Sequence, residues 1–256
     1  MRQFRSKFAL FLLLCSCRTI TQPRGEFNIP DSTVYFSFDD GPNAQTDTTA
    51  RLLDTLKKYQ IRALFCLLGE NAEQYPDLVR RMYDEGHCIA NHGYSDKWAK
   101  RMDNDEFRDN LVRSEAAISA AIGHDMYPKL YRPHGGFYSP AQERIMRDEG
   151  YVLVPSTVRV YDAVLDGTKQ RKVVRKIVKK VEKRGGGIVL LHDARDSQAR
   201  TEESLAKKKR SVYDRSWIPD AMEEIIPVLL DRGYILNGPD ILTVIGAAAI
   251  PSIDKK

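Results

Sequence analysis

Two adjacent aspartates, Asp39 and Asp40, are the residues of this sequence best suited to chemistry. They follow the apolar run 34–38 and lead directly into Gly41-Pro42. The run predicts a buried strand and Gly-Pro predicts a turn, so both carboxylates lie where a strand ends. In α/β folds, ligands bind at such ends. Because neighbours on a strand point to opposite faces, one carboxylate can bind a metal while the other acts as a base; an ordinary polar turn is the alternative.

A histidine and a third aspartate follow another predicted strand. His92 and Asp96 lie four residues apart in the segment 91–96, which places them on one face of a helical turn. With Asp40 they would form a metal site of one imidazole and two carboxylates, with positions left open for water and substrate. The alternative is structural, with His92 capping a turn and Asp96 solvated as a helix cap.

Two more strands end in functional side chains. Arg132 precedes Pro133 and the segment 134–136, whose two glycines let backbone N–H groups approach a ligand. Its guanidinium can hold a carboxylate through two hydrogen bonds. His192 follows the apolar run 188–191, where an imidazole can act as a proton donor. A surface-turn arginine and a histidine at the edge of the core are the alternatives.

Alternating strand and helix signals predict an α/β fold. We expect a distorted or incomplete (β/α) barrel of about seven parallel strands with outer helices, which would gather the strand ends at one face. The expected strands are 34–38, 63–68, 87–90, 130–131, 151–155, 188–191 and 234–236. The expected helices are 47–59, 76–85, 105–122, 141–149, 169–184 and 218–232. The helix 169–184 carries nine basic residues, but its apolar stripe indicates an outer helix with a solvated face.

The N-terminus has the pattern of an export signal. Arg2, Arg5 and Lys7 precede the apolar run 8–15, which is too short to span a bilayer. The run ends in Leu14-Cys15-Ser16-Cys17, which resembles the lipobox of bacterial lipoproteins and makes Cys17 the expected lipidation site. Removing residues 1–16 lowers the net charge from +5 to +2, which does not imply a nucleic-acid partner.

These patterns divide the 256 residues into four parts. We expect a lipoprotein-type signal peptide at 1–16, a linker to the membrane anchor at 17–32, a catalytic domain at 33–245 and a tail at 246–256. Cys66 and Cys88 are expected to be buried thiols, with one disulfide as the alternative. The polar insertion 194–216 either shapes access to the site or is surface. We expect a monomer.

In order and composition these segments resemble the polysaccharide deacetylases of carbohydrate esterase family 4, from about Thr33 to Leu236. The resemblance rests on Ser37 to Pro42, Gly69 to Pro76, Glu85 to His92, Arg132-Pro133 and Leu190 to His192. It implies that Asp39 is the catalytic base, Asp40 and His92 bind the metal, Arg132 orients the base, and His192 is the acid.

The sequence departs from the family pattern in three motifs. Asp96 stands where the family has a second metal-binding histidine, so two carboxylates and one imidazole would hold the ion. His134 and Gly135 replace the usual Pro-Tyr pair, and the Gly135 N–H would stabilise the oxyanion. Asp162 falls at the position of the aspartate that orients His192, whereas the family's tryptophans there are replaced. The substrate-binding residues are then expected to be Tyr94, His134, Tyr161 and Leu190.

The resemblance implies a metal-dependent hydrolase that removes acetyl groups from an N-acetylated sugar of peptidoglycan or chitin type. Its cofactor would be a divalent ion, with zinc expected first and cobalt or nickel as alternatives. The enzyme would be lipid-anchored in the cell envelope. Two other functions remain open, an O-acetyl esterase on hemicellulose such as acetylxylan, and a catalytically weak carbohydrate-binding lipoprotein. A pure binder would need neither Asp39 nor His192, which favours an enzyme.

Overall fold

The computed structural model describes residues 18–19, 29–44, 47–194, 214–238 and 240–246. Its strands are β1 (Arg18–Thr19), β2 (Val34–Asp39), β3 (Leu64–Leu67), β4 (Cys88–Asn91), β5 (Leu130–Tyr131), β6 (Phe137–Tyr138), β7 (Val152–Leu153), β8 (Val158–Arg159) and β9 (Gly187–His192). Seven of them form one curled parallel sheet in the order β7-β5-β4-β3-β2-β9-β8, while β1 and β6 pair separately and antiparallel. The expected incomplete barrel of seven parallel strands is confirmed.

Helices connect successive strands and cover the outside of the sheet. They are α1 (Thr48–Lys58), α2 (Gly69–Gln74), α3 (Pro76–Asp84), α4 (Asn104–Ile122), α5 (Pro140–Asp148), α6 (Gln170–Arg184), α7 (Trp217–Asp231) and α8 (Ile241–Val244). The apolar stripe of α6 is buried and its basic residues face outward, as the sequence indicates. Burial of this stripe, rather than helix propensity alone, stabilises α6 on the sheet.

Residue alternation along β2 determines which side chains enter the barrel. Phe36 and Phe38 pack in the core between sheet and helices, whereas Tyr35 belongs to a second apolar cluster on the other face of the sheet. With a period of two, Ser37 and Asp39 continue the face of Tyr35. Asp39 pairs in register with His192 of β9. The parallel register therefore brings two of the predicted catalytic residues side by side at one end of the sheet.

The predicted final strand at 234–236 is wrong. Ile235 forms only an isolated bridge with Thr33, through hydrogen bonds with the backbone on either side of it. The seventh strand is β8, where Val158 and Arg159 pair with β9 next to the site. A strand of only two residues, one of them a charged arginine, gives too weak a pattern to predict from sequence. The short helix α2 was also not predicted, since it begins at Gly69 and spans only six residues.

Several sequence-based expectations concern the ends of the chain and the insertion. The signal segment 1–16, Cys17 and most of the insertion 194–216 lie outside the described residues. Cys66 and Cys88 are free thiols, so the disulfide alternative is not formed. A search of the described helices finds none that combines the length and the apolar composition needed to cross a membrane.

Candidate active site

Asp39 and Arg132 form a buried ion pair at the end of the barrel. One guanidinium nitrogen of Arg132, Nη1, donates to Asp39 Oδ1 at 2.5 Å and to the Ser37 hydroxyl at 3.0 Å. The other, Nη2, donates to the carbonyl of Pro155 at 2.8 Å. Both charged side chains are only 4% exposed. Burying two charges is costly unless they pair, so this ion pair fixes the orientation of both groups.

A backbone change at Asp40 brings its carboxylate to the same side as that of Asp39. Asp40 has a φ of 73°, in the left-handed region that residues other than glycine rarely adopt. The turn is held by hydrogen bonds from the Asp40 N–H to the Cys66 carbonyl and from the Asn71 amide to the Asp40 carbonyl. Neighbours on a regular strand would face apart, but here both aspartates line one cavity.

Asp40, His92 and His134 form a compact cluster of potential metal ligands. One ligand atom from each lies within 4.8 Å of the other two. Asp40 Oδ1 is 3.4 Å from His92 Nε2 and 3.4 Å from His134 Nδ1. Asp40 Oδ1 and His134 Nδ1 are both buried without a hydrogen-bond partner. Buried polar atoms are rarely left unpaired, and a divalent ion among these three residues would satisfy them.

The structure differs from the sequence-based expectation at one ligand position. Asp96 was expected to bind the ion, and His134 was assigned to substrate. Instead the Asp96 carboxylate contacts His134 Nε2, and the compact cluster takes its third member from the loop after β5. The sequence did contain a signal for His134 as a metal ligand, because His134 follows a strand end just as His92 does.

The electrostatics of the cluster attract positive charge. Burial opposes ionisation of Asp40, but the nearby His134 and His92 side chains hold its pKa well below the usual range. Burial likewise opposes protonation of His134, yet the carboxylates of Asp40 and Asp96 raise its pKa to about 10. The carboxylates that produce this shift would also stabilise a cation bound among Asp40, His92 and His134.

His192 and Asp162 form a second pair that lines the same cavity. The Asp162 carboxylate lies 3.0 Å from His192 Nδ1 and accepts the backbone N–H of His192 at 2.9 Å. Burial opposes protonation of His192, but Asp162 raises its pKa to about 9. Burial also opposes ionisation of Asp162, and His192 and Arg215 together lower its pKa. At neutral pH this arrangement gives a charged imidazolium that can donate a proton.

Arg215 forms hydrogen bonds with both residues of this pair and was not predicted from the sequence. Its side chain is fully buried, and its Nη2 donates to Asp162 Oδ2 at 2.6 Å. The same guanidinium donates to the backbone carbonyls of His192, Asp162 and Leu165. It lies at the end of a polar, basic insertion, where one arginine has nothing in the sequence to distinguish it from its neighbours.

One cavity of about 430 Å³ is lined by the predicted catalytic and metal-binding side chains, namely Asp39, Asp40, His92, Asp96, Arg132, His134, Asp162 and His192. Gly135, the predicted oxyanion donor, also lines it, as do Leu190 and Tyr161, two of the predicted substrate-binding residues. Tyr94 is not among the lining residues, since its hydroxyl donates to Glu73 and its ring lies against the Arg113 guanidinium. A larger cavity, about 730 Å³, lies around His87 and Asp240 and contains none of the predicted catalytic residues.

Trp98 provides an aromatic wall that the sequence analysis missed. The indole is 38% exposed at the cavity and packs so closely on Gly135 that a Cβ there would lie 2.7 Å from the ring. Lys100 lies 4.8 Å from the ring centres of both Trp98 and Phe137. The only signal in the sequence was an aromatic residue shortly after the His92 segment, which is a weak indication.

Comparisons with known proteins agree with this geometry. Residues 28–154 match the family model described as polysaccharide deacetylase. A chitooligosaccharide deacetylase of Rhizobium leguminosarum bv. trifolii is 30% identical over 225 residues, covering 84% of this chain and 94% of that protein. A peptidoglycan-N-acetylglucosamine deacetylase of Bacillus cereus is 35% identical over 129 residues, which is 50% of this chain but only 46% of the relative.

A solved structure also resembles this fold. The family 4 acetyl xylan esterase from Clostridium thermocellum, described in complex with a cobalt ion, superposes with a TM-score of 0.64 and 28% identity. The match covers 86% of this chain and 93% of that one. The similarity therefore extends over most of both chains.

Arg215 is expected to be essential for stability. Replacement Arg215→Ala would leave the buried Asp162 carboxylate without its cation, and breaking such a pair costs about 3–5 kcal/mol. The free energy of unfolding, measured by urea denaturation, should fall by that amount. Arg51→Ala is the control, because it removes an exposed pair with Asp220 and should change stability by about 0.5 kcal/mol or less. Equal effects of the two variants would contradict the role of Arg215.

Proposed function

Because this chain belongs to the polysaccharide deacetylase family, we propose that it is a metal-dependent hydrolase that removes acetyl groups from an N-acetylated sugar polymer of peptidoglycan or chitin type. One observation carries the proposal. Three groups line the same cavity. The ion pair of Asp39 can supply a general base, the cluster around Asp40 can bind a metal ion, and the pair formed by His192 can supply a general acid. A protein that only binds carbohydrate needs neither a buried base nor a protonated acid in its binding site.

We propose Asp40, His92 and His134 as the residues that hold a divalent ion. Their unpaired buried atoms and their mixture of imidazole and carboxylate suit zinc first, with cobalt or nickel as alternatives. Such an ion supplies Lewis-acid polarisation of the acetyl carbonyl and makes a water more acidic. The similarity to an esterase described with cobalt supports a divalent ion here.

Asp39 is proposed as the general base. Its Oδ1 is held by Arg132, while Oδ2 lies 3.6 Å from His92 Nε2, next to the proposed metal site. A carboxylate fixed in this position can take the proton of a water that attacks the acetyl carbon. Arg132 acts as a positioning residue, because it keeps Asp39 in place and offsets the cost of burying its charge.

His192 is proposed as the general acid. Its Nδ1 is bonded to Asp162, so the remaining ring nitrogen, Nε2, can protonate the departing amine. The raised pKa of about 9 keeps the imidazole charged at neutral pH. Asp162 therefore both orients the acid and maintains its proton.

The remaining wall of the cavity is proposed to bind the sugar and the developing oxyanion. The N–H of Gly135 is the proposed oxyanion donor, an interaction worth about 3–4 kcal/mol in comparable enzymes. Trp98, Tyr161 and Leu190 supply the apolar surface against which a sugar ring can stack. Trp98 and Tyr161 would replace the aromatic wall that the resembled family builds from tryptophans near the position of Asp162.

An O-acetyl esterase activity on a hemicellulose such as acetylxylan is the second candidate. The similarity to an acetyl xylan esterase favours it, because ester and amide hydrolysis can use the same base, ion and acid. The leaving group separates the two activities, since an amine needs protonation more than an alcohol does. The protonated His192 thus favours the amide substrate.

Replacing the base tests the mechanism directly. Asp39→Asn keeps the size of the side chain but removes the basic oxygen, so the hydrolysis rate should fall by roughly 10²–10⁴-fold. Metal content and glycan affinity should stay near those of the wild type. His192→Ala should lose more rate on an N-acetyl substrate than on an activated aryl ester, since a phenolate leaves without a proton.

Asp105→Asn is the matched control, because Asp105 is an exposed carboxylate on α4 away from the cavity. Its turnover should equal that of the wild type. Unchanged turnover in Asp39→Asn would rule out the proposed base and favour a binding protein. Equal losses on both substrates in His192→Ala would remove this residue from the acid role.

We further propose that the protein acts in the cell envelope as a lipoprotein. The basic start, the apolar run 8–15 and the Leu14-Cys15-Ser16-Cys17 segment support this location, as does a cell-wall type of substrate. The signal 1–16 would be removed, and 17–32 would link the lipidated Cys17 to the catalytic domain 33–245, which is followed by the tail 246–256.

Lipidation can be tested in cells that express the full chain. The mature protein should begin at a lipidated Cys17, detected by mass spectrometry, and should partition with membranes. Cys17→Ser should release the protein from the membrane or leave it unprocessed, whereas Cys88→Ser should have neither effect. An intact Met1 on a protein in the soluble cytoplasmic fraction would contradict the anchor.

A further inference from the structure

We propose that Asp96 is a positioning residue that orients His134. The His134 imidazole, which comes from a different loop, takes the ligand position that was expected for Asp96. The inference rests on the proposed metal-dependent function. It assigns Asp96 a role that differs from the ligand role expected from the sequence.

The two ring nitrogens of His134 have different surroundings. Nε2 contacts the Asp96 carboxylate, whereas Nδ1 lies 3.4 Å from Asp40 Oδ1 and is buried without a hydrogen-bond partner. An imidazole that binds a metal ion is neutral and carries one N–H, because the ion displaces the second proton. With that hydrogen donated from Nε2 to Asp96, the lone pair on Nδ1 is left free to bind the ion that is proposed to lie beside Asp40.

His92 has the same arrangement with its nitrogens exchanged. Its Nδ1 lies 2.5 Å from the backbone carbonyl of Arg132, and its Nε2 lies 3.4 Å from the same Asp40 oxygen. The two rings are 4.9 Å apart. Each imidazole therefore has one nitrogen bonded to an acceptor and the other facing Asp40. Asp96 does for His134 what the Arg132 carbonyl does for His92.

Packing between two loops holds Asp96 and His134 in this contact. The left-handed φ of 75° at Gly135 places its backbone against the indole of Trp98, where any side chain on Gly135 would collide. Trp98 is two residues from Asp96, and Gly135 is next to His134. The loops are thereby fixed against each other. The side chain of Asp96 is also more exposed, at 18%, than those of Asp40 and His134 at 8% and 9%.

The positions of Asp96 and His134 are then explained as a pair. The resembled family has a histidine where Asp96 stands and a proline where His134 stands. In this chain the second imidazole lies on the neighbouring loop instead, and the carboxylate at position 96 contacts it. A residue that acts in this way influences the ion only through His134, which separates the proposal from direct ligation.

A mutant cycle on metal affinity tests this distinction. Zn²⁺ binding to the metal-free full chain would be measured by titration calorimetry for wild type, Asp96→Ala, Asp96→Asn, His134→Ala and the double alanine variant. Loss of an outer partner of a metal ligand typically costs 10–100-fold in affinity. We expect that loss in Asp96→Ala and less than tenfold in Asp96→Asn, whose amide oxygen still accepts the Nε2 hydrogen. The double variant should bind no more weakly than His134→Ala alone.

Direct ligation by Asp96 would give a different pattern. The asparagine and alanine variants would then lose affinity equally, and the double variant would fall well below His134→Ala; either result overturns the proposal. Asp105→Ala is the control for removing an exposed carboxylate on the adjacent helix and should bind as the wild type does. Thermal unfolding of each metal-free variant checks that it is folded, and if His134→Ala is not, the comparison of the two Asp96 variants decides.

The number of imidazoles bound to the metal ion gives an independent test of whether His134 is a ligand. Pulsed electron paramagnetic resonance of the Cu²⁺-loaded protein should detect two coordinated imidazoles in wild type and in Asp96→Asn, and one in His134→Ala. A single imidazole in the wild type would overturn the role of Asp96 while leaving a metal enzyme. A wild type that binds neither Zn²⁺ nor Cu²⁺ would instead refute the proposed function on which the inference rests.

Discussion

The buried ion pair between Asp39 and Arg132 is the interaction on which the rest of the site depends. Two charges taken out of water are stable only if each is satisfied, so their geometry is strongly constrained. Arg132 also binds the Ser37 hydroxyl of β2 and the Pro155 carbonyl after β7. One guanidinium therefore joins three parts of the barrel mouth and holds the proposed base in place. The carbonyl of the same residue fixes the ring of His92.

Charge balance extends this constraint to the whole cavity. Asp40 is surrounded by two imidazoles, Asp162 lies between His192 and Arg215, and His134 lies between two carboxylates. Each acidic group is thus compensated by a specific basic partner in a region where solvent cannot do so. As a result, one cavity contains a carboxylate and an imidazolium, each with its own partner of opposite charge. Arg132 holds the carboxylate of the proposed base in place, and Asp162 keeps the proposed acid protonated.

The sequence predicted the parts of this site that follow from strand ends. Asp39, Asp40, His92, Arg132 and His192 each follow or end a strand of the parallel sheet, and such ends meet at one edge. The sequence could not show that β8 forms a strand while Ile235 forms only a bridge, because pairing in so short a segment depends on its neighbours in the sheet. The contact of Asp96 with His134 depends on how two loops pack at Trp98 and Gly135, and the sequence carries no signal of that packing. The hydrogen bond of Arg215 to Asp162 likewise depends on the loop that brings the two residues together.

The arrangement of base, metal site and acid in one cavity is suited to removing acetyl groups with the help of a divalent ion. The most direct measurement is acetate release from a panel of N-acetylated and O-acetylated glycans, using protein freed of metal by a chelator and the same protein restored with Zn²⁺, Co²⁺ or Ni²⁺. The account predicts no release without metal, and release from chitin-type or peptidoglycan-type substrates once the ion is restored. Full activity of the metal-free protein, or no acetate from any glycan after metal is restored, would contradict it.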